Sequence, residues 1–307
     1  MWKDTVASEA IKVQAKISHE AASKRHQRFL DDASDTDKAR LLSASQPAAK
    51  LWLTTMPEEN ELRLSNEEFR AAVKLRLGLP SSVGNSGNVS CVCDPSVRIV
   101  DTQHFHVCDL TRKGAVFDRH ELIVRTIADV CRQANVIART THHYLKRRAN
   151  ASSVVPDLFV YSSDSAAKML DVTVKYPATD SMVSLHRAHE VPLVACKTAE
   201  SSKNSKYDTL AVDNGMSFVA FAVEVFGAIG RSALKFLKDV AEQVSTPHLF
   251  YVYSLRRISI AIQRGNALVL QHGKQLLRSV EERSTRLMVP DFSPLCSSPN
   301  AMPLLVM

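Results

Sequence analysis

Apolar and polar positions alternate in the middle of the chain with the periods of an α/β fold. DRHELIVRTIADVCRQANV repeats apolar residues with a helical period and predicts an amphipathic helix. VIARTT, residues 156–161, residues 169–176 and MSFVAFAVEVFG are rich in β-forming residues, and AIGRSALKFLKDVAEQV is amphipathic again. The predicted order is helix, three strands, helix, strand and helix, which favours a mixed sheet flanked by helices. The apolar face of the first helix is predicted to contain Leu122, Ile123, Ile127 and Val130.

Helical patterns also precede and follow this part of the chain. Residues 1–45 are polar and alanine-rich, and residues 250–288 repeat apolar positions with a helical period. SNEEF predicts a helix start with Ser65 as cap and Glu68 three residues later. Phe69, Val73 and Leu77, with Ala72 and Leu75 nearby, predict the apolar stripe of that helix, which ends at Gly78 and Pro80. We therefore expect a helical N-terminal region at 1–85, a Cys/His segment at 88–112, an α/β core at 113–247 and a helical C-terminal extension at 248–307.

Two acids interrupt the apolar pattern of neighbouring strands. Asp157 opens one predicted strand and Asp171 lies inside the next, with SSDSAAK between them as a predicted turn. Two buried carboxylates repel each other and lose hydration, and a divalent metal ion usually compensates for this. Lys175 lies on the same strand face as Asp171, because side chains alternate with a period of two. The alternative is that Asp157 simply starts a strand and that Asp171 lies at a sheet edge.

Cysteine and histidine cluster in CVCDPSVRIVDTQHFHVC. Two closely spaced thiols followed by a histidine and a third thiol are typical of a tetrahedral zinc site that folds a small segment. In a local strand the competing ligand His106 would point with His104 and lie too close to Cys108. The alternative is a group of incidental buried thiols, as we expect for Cys131, Cys196 and Cys296. The predicted ligands are Cys91, Cys93, His104 and Cys108.

Charge and composition indicate the class of binding partner and the cellular compartment. A formal net charge of +7, from 39 Lys+Arg and 32 Asp+Glu, favours partners with phosphate groups. WKDTVASEAIKVQAK lacks the apolar core of a signal peptide, and no apolar run reaches the roughly 18 residues that span a membrane. We expect a nuclear or cytoplasmic protein with reduced thiols, neither secreted nor bound to a membrane.

In their order and spacing these motifs resemble the C-terminal region of polyproteins from site-specific non-LTR retrotransposons, which carry a restriction-like endonuclease of the PD-(D/E)XK type. That family has a CCHC knuckle, an Arg-His helix start, a Pro-Asp strand, a D-V-x-V strand, and a helix with Lys and Lys-Tyr. The resemblance covers roughly residues 47–245, and the aromatic-x-Asp-Asp polymerase motif does not occur in the sequence. Glu121 follows Arg-His where the family often has Asn or Asp. The matching positions are Cys91, Cys93, His104, Cys108, Arg119-His120, Pro156-Asp157, Asp171-Val172-Thr173-Val174, Lys203 and Lys206-Tyr207.

The resemblance implies a restriction-endonuclease-like fold that nicks DNA with a catalytic Mg²⁺ or Mn²⁺ ion on Asp157 and Asp171, beside a structural Zn²⁺ in the knuckle. The family's helix lysine implies Lys203 as the catalytic lysine, with Lys206 second and Lys175 third. Target DNA is the implied partner, and the RNA of the parent element is a second one. The alternative is an inactive, zinc-containing remnant that binds nucleic acid without cutting it. The candidate DNA-contacting residues are Arg119, His120 and Tyr207 from the family motifs, and Lys146, Arg147 and Arg148 from the basic connector HHYLKRR.

Overall fold

The computed structural model describes residues 2–79, 91, 93, 104–112, 114–140, 155–162 and 165–288. Over these ranges the chain forms ten α-helices and four β-strands. In chain order they are α1 (Trp2–Asp32), α2 (Asp35–Ala44), α3 (Leu51–Thr54), α4 (Asn66–Leu77), α5 (Asp109–Arg112), α6 (Ala115–Gln133), β1 (Ile137–Arg139), β2 (Leu158–Ser162), β3 (Ser165–Lys175), α7 (Asp180–Ser184), α8 (Val194–Asp213), β4 (Ser217–Glu224), α9 (Arg231–Ala241) and α10 (Pro247–Met288). Short 3₁₀ turns lie at Pro47–Lys50, Asn60–Leu62 and His104–His106.

The four strands form one mixed sheet in the order β1-β2-β3-β4. β1 and β2 are antiparallel, as are β2 and β3, whereas β3 and β4 are parallel and connected through α8. The register pairs Leu158 with Leu170 between β2 and β3, and Asp171 with Ala220 between β3 and β4. The predicted mixed sheet flanked by helices is therefore confirmed.

Helices cover both faces of the sheet. On one face, Leu170 and Val172 of β3 pack with Phe221 of β4 against α6, α9 and α10. On the other face, Met169 of β3 packs against Tyr207 and the neighbouring residues of α8. Because successive strand residues point to opposite faces, Asp171 lies on the α8 side, between Leu170 and Val172.

The longest helix, α10, is part of the core rather than an appendage. Ile258 and Ile262 are fully buried in the main apolar cluster with α6 and β3. Asn266 is also buried and donates to the backbone carbonyl of Val225, just after β4, at 2.7 Å. The segment predicted as a C-terminal extension is thus helical over Pro247–Met288 and packs directly on the α/β core. No helix in the described ranges is long and apolar enough to cross a membrane.

Several local sequence signals have the predicted structural effect. Ser65 and Glu68 form a reciprocal capping box at the start of α4, and Gly78 ends this helix with a left-handed φ of 68°. The predicted apolar face of α6 is at least half-buried along its length. The predicted stripe on α4 is wrong in part, because Phe69 and Leu77 are exposed and Ala72 and Leu75 are the buried residues.

Two other local predictions need correction. β3 begins at Ser165, so the second half of SSDSAAK, predicted as a turn, belongs to the strand and pairs with β2. His104 and His106 lie in a 3₁₀ turn and not in a strand, which changes the directions of their side chains. Both errors come from reading short polar or mixed segments by local propensity, which strand pairing and side-chain contacts override.

We expect Ile258→Ala to lower the free energy of unfolding by about 2–5 kcal/mol, because it opens a cavity at a fully buried position of α10. Leu249→Ala on the same helix is the matched control, since that side chain is 68% exposed. Urea denaturation followed by circular dichroism measures both variants. Equal small effects would show that α10 does not contribute to the core.

Candidate active site and metal centre

Asp157 lies where β2 begins and is held by two donors. Its Oδ2 accepts a hydrogen bond from the backbone N–H of Val172 at 2.6 Å and one from His120 Nε2 at 3.1 Å. His120 lies on α6, and its Nδ1 is 3.4 Å from Glu121 Oε1. Burial by itself would lower the pKa of His120, but the hydrogen bond and the charge of Asp157, together with Glu121, outweigh it and raise this pKa. His120 and the Val172 N–H therefore orient the Asp157 carboxylate beside β3.

Asp171 is the buried acid at the centre of the site. Its side chain is 5% exposed, and its Oδ2 lies 2.7 Å from Lys203 Nζ on α8. Because the Asp157 carboxylate contacts the N–H of the next residue, Val172, both acids lie at one corner of the sheet. This corner brings together Asp157, Asp171 and Lys203, which are the two predicted catalytic acids and the first-ranked of the three candidate lysines.

A third acid, Glu224, fixes the helix that carries the lysine. Glu224 lies at the end of β4 and is 1% exposed. Its carboxylate accepts a hydrogen bond from the backbone N–H of Cys196 at 3.4 Å. Desolvation raises the pKa of Glu224, and the donors of Cys196, Ala195 and Ser43 partly offset the effect. Glu224 thus serves as a cap for α8, whose own N-cap residue Leu193 provides no side-chain hydrogen bond.

The sequence contains a signal for Glu224 that lies outside the motifs given above. FAVEVFG places an acid within an apolar strand, which is the same pattern that identified Asp171. The pattern indicates a compensated buried charge, but the compensating groups come from α2 and α8, far away along the chain.

The four predicted zinc ligands converge. One ligand atom from each of Cys91, Cys93, His104 and Cys108 lies within 4.8 Å of all the others. The Cys93 sulfur is 3.0 Å from that of Cys91, 3.3 Å from that of Cys108 and 3.2 Å from His104 Nε2. Two sulfurs bound tetrahedrally to zinc at about 2.3 Å would be about 3.8 Å apart. The Cys91 and Cys108 sulfurs are 3.6 Å apart, close to this value, and the two distances to the Cys93 sulfur are shorter. Across the described ranges this is the one group in which three or more such ligand atoms meet.

Without a cation these thiols favour the protonated form. Desolvation raises the pKa of the Cys93 thiol to about 12, with further contributions from Cys91 and Cys108. Three thiolates this close would repel each other strongly, and a bound cation is what makes the deprotonated ligand form favourable. All three cysteines are free, not disulfide-bonded. The cluster could therefore hold a metal ion such as zinc.

His106, the competing ligand, points away from the cluster. It is buried, stacks on Tyr176 with a centroid distance of 5.9 Å, and its Nδ1 lies 2.9 Å from Arg119 Nη1. Arg119 is 2% exposed and also donates to Asn266 Oδ1 at 3.2 Å. Burial lowers the pKa of Arg119 to about 10, which leaves the guanidinium charged at neutral pH. In this conformation Arg119 connects the Cys/His segment to α10 and is almost completely removed from bulk solvent.

The remaining predicted residues fall into four groups. Tyr207 is buried against Phe218, with ring centroids 4.9 Å apart, and the amine of Lys206 is 3.3 Å from its hydroxyl. Lys175 is the last residue of β3 and is paired in register with Glu224 of β4, whereas Asp171 is paired with Ala220. His120 contacts Asp157, as described above. Outside the described residues lie the predicted DNA contacts Lys146, Arg147 and Arg148.

Arginines of α10 are engaged within the protein. Arg264 donates to the backbone carbonyls of Asn60 and Arg63 at 3.1 and 2.6 Å. Arg257 is buried and lies 3.6 Å from Asp129 Oδ2. These two residues fix α10 to preceding segments, so LRRISIAIQR does not present a uniform basic face.

Comparison with protein-family models and with curated proteins gives no match to this chain.

Metal analysis of the purified protein should give about one zinc per chain, and Cys93→Ser should lose it because the thiolate is replaced by a weak ligand. Cys131→Ala is the matched control, since Cys131 is a buried thiol in the main core and not part of the cluster. A fully folded wild-type protein without zinc, prepared in zinc-containing medium, would refute this assignment.

Proposed function

We propose that this chain is a metal-dependent DNA endonuclease module, of the restriction-like type found in site-specific non-LTR retrotransposons. The observation that carries the proposal is the convergence of Asp157, Asp171 and Lys203. Their elements are far apart in sequence, yet Lys203 Nζ lies 2.7 Å from Asp171 Oδ2 and Asp157 contacts the neighbouring backbone N–H. Two acids on adjacent strands with a lysine beside them are the groups that metal-assisted phosphodiester hydrolysis requires.

The two acids suit a hard divalent cation. Magnesium binds through one or two carboxylates and keeps several waters, so a third protein ligand is not needed. Two carboxylates at one corner, one of them 5% exposed, also place more negative charge than a single lysine neutralises. Mg²⁺ or Mn²⁺ bound there would polarise the phosphate and lower the pKa of a bound water.

The protein's own side chains position the metal-binding carboxylate and stabilise the charge of the transition state. Asp157 is oriented by His120 and the Val172 N–H, and Lys203 provides a positive charge for the phosphate oxygens in the transition state. In the reaction a water oxygen bonds to phosphorus while the bond from phosphorus to the 3′ oxygen breaks. The attacking water loses a proton and the leaving 3′ oxygen gains one. The products are a 5′-phosphate and a free 3′-hydroxyl, which in the related elements primes reverse transcription.

A nicking assay tests the proposal. Supercoiled plasmid incubated with the protein should become nicked circles with Mg²⁺ or Mn²⁺ and stay intact without a divalent metal. Lys203→Ala should reduce the rate by about 100-fold or more, because it removes a positive charge aimed at the reacting phosphate. Asp171→Asn should abolish cutting because it removes a metal ligand.

Matched variants on α8 control for folding and surface charge. Lys197 and Asp213 are exposed on the same helix, so Lys197→Ala and Asp213→Asn should leave the rate unchanged. If Lys175→Ala abolishes cutting and Lys203→Ala does not, the lysine assignment is wrong. If the zinc-loaded, folded wild type binds DNA and never nicks it, the chain is a nucleic-acid-binding module.

Binding to duplex DNA should weaken steeply with salt and depend little on sequence, because phosphate contacts release counterions. Replacing Lys146, Arg147 and Arg148 together by Ala should make the slope of log affinity against log salt less negative by up to about 2.7, roughly 0.9 per lost phosphate contact. Lys235→Ala with Lys238→Ala, which changes two exposed lysines of α9, is the control. Fluorescence anisotropy at a series of salt concentrations measures the slope, and salt-independent binding would contradict the proposal.

A further inference from the structure

A pocket with a positively charged lining lies between the Cys/His segment and the end of β3. Its volume is about 470 Å³, and its polar walls come from His106, Arg119, Lys175, Thr179 and Ser181. No Asp or Glu is among the described lining residues, and the neighbouring Asp180 is exposed on α7. The pocket is separate from the corner formed by Asp157, Asp171 and Lys203.

Two buried N–H groups of this pocket lack acceptors. Arg119 can only donate, so His106 Nδ1, 2.9 Å from Arg119 Nη1, must accept, and the His106 proton is therefore on Nε2. Both His106 Nε2 and Arg119 Nε are buried and have no hydrogen-bond partner among the described residues. A buried donor without an acceptor is costly, so each of these groups favours an acceptor that the protein itself does not provide.

The rest of the lining also suits an anion. The amine of Lys175 has no hydrogen-bond or ion-pair partner within the described part of the chain. The hydroxyls of Thr179 and Ser181 lie 3.2 Å apart and can turn to donate. Two cationic side chains, an imidazole N–H and two hydroxyls around one cavity form a set of donors without a competing carboxylate.

We propose that this pocket binds a phosphate group, and that the group is a backbone phosphate of the DNA. Three oxygens of a phosphate accept hydrogen bonds in different directions, which matches donors that come from α6, β3 and the segment before α7. The assignment to DNA rests on the proposed function, whereas the phosphate site itself rests on the pocket. In this role Lys175 anchors DNA away from the reacting phosphate and is not the catalytic lysine.

Lys175→Gln tests the proposal in the zinc-loaded protein. Glutamine is chosen because it removes the charge of this half-buried side chain without opening a large cavity. DNA binding is measured without added Mg²⁺ or Mn²⁺, so the result does not depend on cutting. We expect weaker binding and a salt slope less negative by about 0.9, the value for one lost phosphate contact. Lys175→Arg should restore both, and Lys235→Gln, at an exposed position of α9, should change neither.

Kinetics and a second ligand separate the alternatives. For nicking, Lys175→Gln should raise KM with kcat unchanged, and a loss of kcat at saturating DNA would overturn the anchoring role. Inorganic phosphate, titrated calorimetrically, should bind the wild type and not Lys175→Gln. Phosphate binding without any change in DNA affinity or salt slope would identify free phosphate as the ligand and overturn the DNA assignment. If Lys175→Gln changes neither phosphate binding nor DNA binding, the pocket is not a phosphate site. Absence of nicking in the wild type and every variant would count against the proposed endonuclease activity and not against the phosphate site.

Discussion

The charge of Asp171 is the constraint on which the arrangement of this α/β core depends. A carboxylate that is 5% exposed inside a sheet covered on both faces would cost several kcal/mol if no cation accompanied it. Lys203 supplies that cation at 2.7 Å, and it can do so only if α8 crosses the sheet with this lysine facing β3. With α8 in this position, the chain connects β3 to the parallel strand β4, and Tyr207 of α8 packs against Phe218 of β4. Asp171 thus determines the position of a helix as well as the chemistry of a site.

A second buried acid fixes the other end of the same helix. Glu224 is on the α8 face of the sheet, as is Asp171, and it accepts a hydrogen bond from the backbone N–H of Cys196 in the first turn of α8. The partial positive charge of a helix N-terminus stabilises a carboxylate, so Glu224 and α8 compensate each other. With Glu224 at the first turn and Asp171 near the middle, α8 is fixed at two points. A lysine on a helix held in this way is restricted to a narrow range of positions.

Local signals in the sequence predicted most elements but not their partners. The capping box at Ser65, the apolar face of α6 and the convergence of the Cys/His cluster could be inferred because short spacings determine them. The burial of Arg119 could not, because its acceptors His106 and Asn266 come from a distant 3₁₀ turn and from α10. Periodicity identifies an apolar face but not the element that covers it. For the same reason the period of residues 250–288 predicts a helix but not that Ile258 lies in the centre of the core.

The Arg-His pair on α6 connects the Cys/His cluster with the acidic corner. Neighbouring residues of a helix point about 100° apart, so Arg119 and His120 reach different surroundings from one turn. Arg119 binds His106, which lies between the cluster ligands His104 and Cys108, and also Asn266, which in turn donates to the Val225 carbonyl after β4. His120 binds Asp157. The cluster, α10, the end of β4 and the first acid are therefore joined by direct contacts through one helical turn. A metal ion that orders the Cys/His segment would therefore also help to fix the turn of α6 from which His120 orients Asp157. The Cys/His cluster is in this way a structural part of the proposed active site.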